Sequence, residues 1–315
     1  MGLYPRHLTD FLIQQGIPFG RNSNVYVVDP VNGDDDNSGS LENPLESPIE
    51  AEDRCVANQH DVVLMLAGST GATLGAQLLW DKSYTHLVGW AAPSMTAQRA
   101  RIHNETVTGV TPLVNITGSG CIFKNVYIFQ GVAEAVANIN IQVSGGRNYF
   151  ENVHFAGGGN AAQAIDGGAS LRIVGSEGEN LFKNCTIGVD TIAQATGMRC
   201  LAITGGTPRN VFRDCHFITY AGATSAMFVE WETLSAVDRY MLFERCAFIN
   251  TGTSTIASSF VMPAAAPAHR RVLLIDCWSY GATLWDVSDR GYIYGNMQNT
   301  DFGGDGGGVM LVMHT

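Results

Sequence analysis

Phe182-Lys-Asn-Cys-Thr-Ile187 is followed thirty residues later by Phe212-Arg-Asp-Cys-His-Phe217, and the likeness extends in both directions. Upstream lie Phe123-Lys-Asn-Val-Tyr-Ile128 and Phe150-Glu-Asn-Val-His-Phe155. Downstream lie Phe243-Glu-Arg-Cys-Ala-Phe248 and Leu274-Ile-Asp-Cys-Trp-Ser279. The first residues of successive copies are 27, 32, 30, 31 and 31 positions apart. A period in this range marks stacked units, each burying its apolar face against its neighbours.

The columns of the repeat define its geometry. The fourth reads Val126, Val153, Cys185, Cys215, Cys246, Cys277, and the sixth Ile128, Phe155, Ile187, Phe217, Phe248, Ser279. Apolar residues two apart on a short segment predict a strand with one buried face. The third column, Asn125, Asn152, Asn184, Asp214, Arg245, Asp276, predicts a corner, because Asn and Asp tolerate tight bends. The first column, mostly Phe, points inward before that corner. Alternating segments precede most copies: Ile139-Asn-Ile141-Gln-Val143, Leu171-Arg-Ile173 and Leu201-Ala-Ile203. Gly145-Gly146, Gly175 with Gly178, and Gly205-Gly206 follow them and suit turns at positive φ. One unit is thus strand, glycine turn, short strand, Asn corner, strand and loop. Helical repeats of similar length do not fit a spacing of two rich in β-branched and aromatic residues. The expected fold is all-β, a parallel β-solenoid.

This pattern resembles the right-handed parallel β-helix of the pectin-lyase-like superfamily over roughly residues 61 to 300. The start resembles it too: Val25-Tyr-Val-Val-Asp29, Gly33-Asp-Asp-Asp-Asn-Ser-Gly39, then Asn43-Pro44 before a helix. Asp61–Gly68 and Thr85–Gly89 resemble the first two coils. The resemblance implies a fold shared by polysaccharide lyases and hydrolases, phage tailspikes and non-enzymatic virion proteins, so it leaves function open.

Composition narrows the classes. The chain has 315 residues, 45% hydrophobic and 15% charged, with 36 glycines, which suits one elongated core of stacked strands. A net charge of −11 without a basic run argues against nucleic acid. The apolar run Val62–Ala67 is too short to cross a bilayer, and the start lacks a secretory apolar region. Four of the seven cysteines share one inward column and read as small hydrophobes made in a reducing compartment.

The expected organisation is a docking arm over 1–23, a lead-in strand and capping helix over 24–60, and the β-helix over 61–315. In the arm, Thr9 reads as a helix cap and Gly16 as its stop. Leu8, Phe11, Leu12, Ile17 and Phe19 form an apolar load that covers the first coil or docks on another subunit or a particle. Ser47 and Pro48 start the second helix, expected to reach about Asn58 with Glu50 returning to the cap amide. Gly303–Gly308 bends the chain toward a last strand, Val309–Val312.

Candidates for chemistry are few. Glu230 and Glu232 flank Trp231 on one strand and face the same side, with Asp238 in the following loop and Asp214 about one coil away. Such a pair could serve an acid/base site beside a sugar platform, because inverting hydrolases hold two carboxyls roughly 6.5–9.5 Å apart. Two carboxylates facing water is the plainer reading. The fifth column, Tyr127, His154, Thr186, His216, Ala247, Trp278, reads as outward-facing, and its histidines are two coils apart, too far to share a metal conveniently. The second column, Lys124, Glu151, Lys183, Arg213, Glu244, reads as a ladder of surface ion pairs. Asp34-Asp-Asp36-Asn-Ser38-Gly39 matches the opening of a calcium loop, but Leu45 stands where that loop needs Glu. No metal or cofactor is expected.

Three functions follow. The first is a non-enzymatic bacteriophage virion protein, a trimeric capsid decoration anchored by its arm, with a tail spike or fibre component second. Its partners are capsid or other virion proteins, with no nucleic acid or membrane, and its location is the virion after synthesis in the host cytoplasm. The second is a polysaccharide lyase or hydrolase. The third is a glycan-binding module using Tyr127, Trp231 and Trp278.

Overall fold

In the computed structural model, which describes residues 6–136, 138–263, 271–286, 291–294 and 299–300, parallel strands wind into a right-handed β-solenoid. Three sheets run along it. The first has ten strands, from Val25–Val28, Val62–Leu66 and His86–Trp90 through the Phe-column strands to Gly291–Tyr294. The second has nine, and through the repeats its strands begin just after the corner, as in Tyr127–Gln130 and His154–Ala156. The third has eight, among them Ile139–Val143, Ala169–Ile173, Arg199–Ile203 and Met227–Trp231. The sequence phrases stack in register: Phe150 pairs with Phe123 and Phe182, and Phe212 with Phe182 and Phe243. The lead-in strand pairs Val25 with Val62, so it is continuous with the first sheet.

The corner column takes the left-handed conformation at each copy, with φ of 57°, 53°, 52°, 54°, 51° and 51° from Asn125 to Asp276. Asn and Asp enter that region more readily than other L-residues. Inside, Phe123, Phe150, Phe182, Phe212 and Phe243 stack with centroids 4.9, 4.6, 4.5 and 5.0 Å apart. The cysteine column stands beside them, its thiols donating to phenylalanine carbonyls one coil back, as Cys215 Sγ does to Phe182 O at 3.5 Å. All seven cysteines are free and buried. The second column forms ion pairs, Lys124–Glu151 at 2.7 Å and Arg213–Glu244 at 2.7 Å.

The glycine turns divide into two kinds. Gly175 has φ 86°, as a turn at positive φ requires. Gly145 serves close packing instead, since a Cβ there would lie 2.0 Å from the Gly118 carbonyl oxygen. A second asparagine column went unread in the sequence. Asn148, Asn180 and Asn210 are buried between the third and first sheets, each carboxamide oxygen accepting a main-chain N–H from the coil before.

Both helices differ from expectation. Helix α1 spans Arg6–Gln14, so Thr9 lies inside it and is not its cap; Gly16, at φ 72°, ends it. Helix α2 spans Pro48–Arg54, with the Ser47 side chain accepting from the Ile49 amide. It stops short of Asn58 because Cys55 turns extended, and Glu50 binds Arg54 at 2.6 Å instead of the cap amide. Ala51 and Cys55 join the main core cluster at the first coils, which closes that end of the solenoid.

The arm packs on its own chain. Along the first sheet, Val63, Met65 and Leu87 face the main core, while Val25, Val27, Val62, Leu64 and Val88 face outward. Leu8, Leu12 and Ile17 bury that outer face, each at most 3% exposed, with Phe11 and Phe19 half-buried beside them. Of the two coverings the sequence left open for Leu8, Leu12 and Ile17, the structure shows the first: their apolar surface meets apolar surface of the same chain. Among the arm's described residues, Ile13 is exposed, at 58%. The expected bend at Gly303–Gly308 and strand at Val309–Val312 lie outside the described residues. No helix among the described residues is long and apolar enough to cross a membrane.

Candidate functional site

Strand His86–Trp90 ends without an Asn corner. Ala91-Ala92-Pro93 follows, and the chain leaves the solenoid until Arg101. This excursion is strapped down across the second sheet. Asn125 donates its carboxamide to the Gly89 and Ala91 carbonyls at 3.0 and 2.6 Å. Gln98 donates to the Asn152 carbonyl at 2.9 Å, and the Thr186 hydroxyl to Met95 O at 2.8 Å. His154 Nδ1 accepts from the Ala97 amide at 3.1 Å, while its Nε2–H donates to Gly188 O at 2.9 Å.

Strap, helix α1 and corner column enclose a groove of about 900 Å³. Phe11 stacks on Trp90, with centroids 5.5 Å apart, and with Pro93 and Met95 makes an apolar side. Asn152, Asn184, Asp214 and His216 make the polar floor. Lys124 ties the arm to the floor, bonding Gln15 O and Glu151 Oε2, each at 2.7 Å.

The charges are internally compensated. Arg245 holds both Asp214 oxygens at 2.7 and 3.0 Å and keeps that carboxyl below the usual range. Burial opposes the Glu151 charge, yet Lys124, Tyr149 and Lys183 together hold it below its ordinary value. Burial lowers His216, against the pull of Asp214, and drives His154 down to about 4, so both imidazoles are neutral at pH 7.

Of the sequence candidates, Asp214 stands in this floor, held by Arg245; the others lie elsewhere and are engaged. Glu230 pairs with Arg199, which also holds Asp166 at 3.1 Å. Glu232 pairs with Arg172 at 3.1 Å and Asp238 with Arg239 at 3.3 Å. Trp231 cannot be a sugar platform: it is 1% exposed, edge-on to Phe243 and Phe260 inside the core. The fifth column is not an outward surface throughout. The strap covers His154 and Thr186 to 5% and 0% exposure, and Ala247 is buried; Trp278 stays open at 44%. Asp34 and Asp35 accept main-chain amides within their own loop, from Asp36, Glu46 and Ser47, which makes the stretch a polar turn. Among the described residues no cluster of three His, Cys, Asp or Glu could hold a metal.

The groove was not read from the sequence. Its signal was the break at Trp90-Ala-Ala-Pro93, where the corner column lacks its Asn. Only folding brings that break against Phe11 and four later coils.

No family model matches the sequence, and no curated protein matches it. Solved structures do. A pectin methylesterase from Aspergillus niger superposes with a TM-score of 0.56 at 13% identity, over 91% of this chain and 88% of that one. Pectin methylesterase PemA from Erwinia chrysanthemi gives 0.53 at 15%, over 89% and 83%. Pectate lyase Pel9A gives 0.51 at 13%, over 89% and 80%. Likeness at such identities shows the fold, a right-handed parallel β-helix.

Proposed function

We propose that this chain is a non-enzymatic structural protein of a bacteriophage particle, first of all a capsid decoration protein, and second a tail spike or fibre component. The observation that supports it most is the pairing of the wall carboxylates. Glu230, Glu232, Asp238, Asp214 and Glu244 each form an ion pair with an arginine, so their oxygens are already engaged within the chain and none stands free beside another as an acid/base pair would. A stiff solenoid with a self-docked arm suits a part that must survive on a particle surface. In this reading the arm's outer side, with Ile13, meets the capsid, and three copies assemble. The buried thiols agree with synthesis in a host cytoplasm.

The test is co-sedimentation of purified protein with capsids that lack it. Saturable binding, lost on Ile13→Asp, supports the proposal; failure to bind capsids or any other virion part overturns it. The second reading, a polysaccharide lyase or hydrolase, is favoured by the named activities of the structural neighbours, pectin methylesterase and pectate lyase. Cleavage of pectate, alginate or a capsular polysaccharide that is lost in Glu232→Gln would establish it instead.

A further inference from the structure

We infer that the groove along the corner column is a binding site for a neutral oligosaccharide, lying extended across the coils with one sugar ring against Trp90. The inference rests on the groove and stands apart from the virion proposal.

Size and shape come first. At about 900 Å³ the groove falls in the range of ligand sites, ~300–1,000 Å³. Its lining runs along the solenoid, with corner residues that recur once per coil: Asn125, Asn152, Asn184 and Asp214. Adjacent coils are ~4.8 Å apart, about the length of one sugar ring in an extended chain. Successive rings therefore meet successive corners.

The chemistry of the walls selects the class. Trp90 is 38% exposed although Phe11 covers part of it, so aromatic surface remains for the C–H face of a sugar. Opposite, the exposed Asn184 carboxamide has no partner among the described residues, and it offers both donor and acceptor to hydroxyls. His216 reaches the groove as a neutral imidazole.

Two other classes fit less well. A peptide adding as a strand needs free main-chain groups. Here the corner amides of Asn125, Asn152, Asn184 and Asp214 all bond to the next coil at 2.9 to 3.0 Å. A polyuronate needs cations. The lining carries one ammonium, Lys124, already paired, against two carboxylates, Glu151 and Asp214, on a chain of net charge −11. A neutral polyol is repelled by neither feature.

The experiment screens the full chain against an array of neutral oligosaccharides of glucose, mannose, galactose and N-acetylglucosamine, with oligogalacturonates beside them. The best neutral glycan is then titrated by tryptophan fluorescence and calorimetry. Trp90→Ala should weaken binding about tenfold, the ratio that one lost contact of ordinary strength makes. Asn184→Gly should weaken it several-fold without backbone strain, because glycine adopts φ 52° freely. Trp278→Ala, outside the groove, should bind as the wild type does. The inference is overturned if no neutral glycan binds, if oligogalacturonates bind best, or if folded Asn184→Gly and Trp90→Ala both retain full affinity.

Discussion

Acid should loosen this protein well before the paired carboxylates Asp214, Glu151 and Glu244 are protonated, and His154 is the reason. The imidazole is 5% exposed, accepts from Ala97 and donates to Gly188, so its bonds require the neutral form. Burial holds its pKa at about 4, against 6.5 in an unfolded chain. Between those values the unfolded chain binds a proton that the native one refuses. Stability is therefore full above pH 6.5 and falls as pH drops toward 4. The gap, at ~1.36 kcal/mol per pH unit, amounts to about 3 kcal/mol. His86 adds a loss of the same sign: it is buried, held near 3, accepts from the Ile122 amide and shares a 3.0 Å contact with His60. The carboxylates held below their usual range, Asp214, Glu151 and Glu244, lose their contribution only at lower pH. The assay is urea unfolding, followed by tryptophan fluorescence and circular dichroism, at several values between about pH 8 and pH 4.5. His154→Gln can still donate near Gly188 but leaves the Ala97 amide unpaired, which costs about 1–3 kcal/mol at neutral pH. Its stability should then change much less with pH than the wild type's. Equal pH dependence in the two proteins would refute the reasoning, since it would mean that His154 does not remain neutral in the fold.

Phe182 sits mid-ladder, fully buried between rings 4.6 and 4.5 Å away, so Phe182→Ala should cost about 3–5 kcal/mol in denaturant unfolding; a cost under about 1 kcal/mol would show that the coils close over the gap. All seven thiols are buried and burial raises the Cys55, Cys200 and Cys215 pKa values, so Ellman's reagent should find essentially no reactive thiol in native protein and all seven after denaturation. Removing residues 1–23 should uncover Val25, Val27, Val62, Leu64 and Val88, and light scattering should then report association of the truncated chain, whereas a well-behaved monomer would show that this face does not need its cover.

What the sequence by itself determined is whatever repeats. The phrase beginning at Phe123 and returning to Leu274 carries the period, the inward columns and the corner, because a solenoid writes its neighbour contacts at a fixed separation along the chain. The ion-pair column was legible for the same reason. What only the tertiary structure decided is whatever interrupts the period. Alternation shows that Trp231 lies between two outward carboxylates, but not that its ring reaches Phe243 and Phe260, nor that Arg172 and Arg199, about two coils and one coil earlier, neutralise those carboxylates. His154 and His216 share a column, yet the strap buries the first and leaves the second at the groove, because that strap comes from a coil near the start of the chain. The arm's apolar residues announced that they would be covered. Which surface covers them depended on the outer face of Val62, Leu64 and Val88, and that face exists only once three distant strands stand side by side.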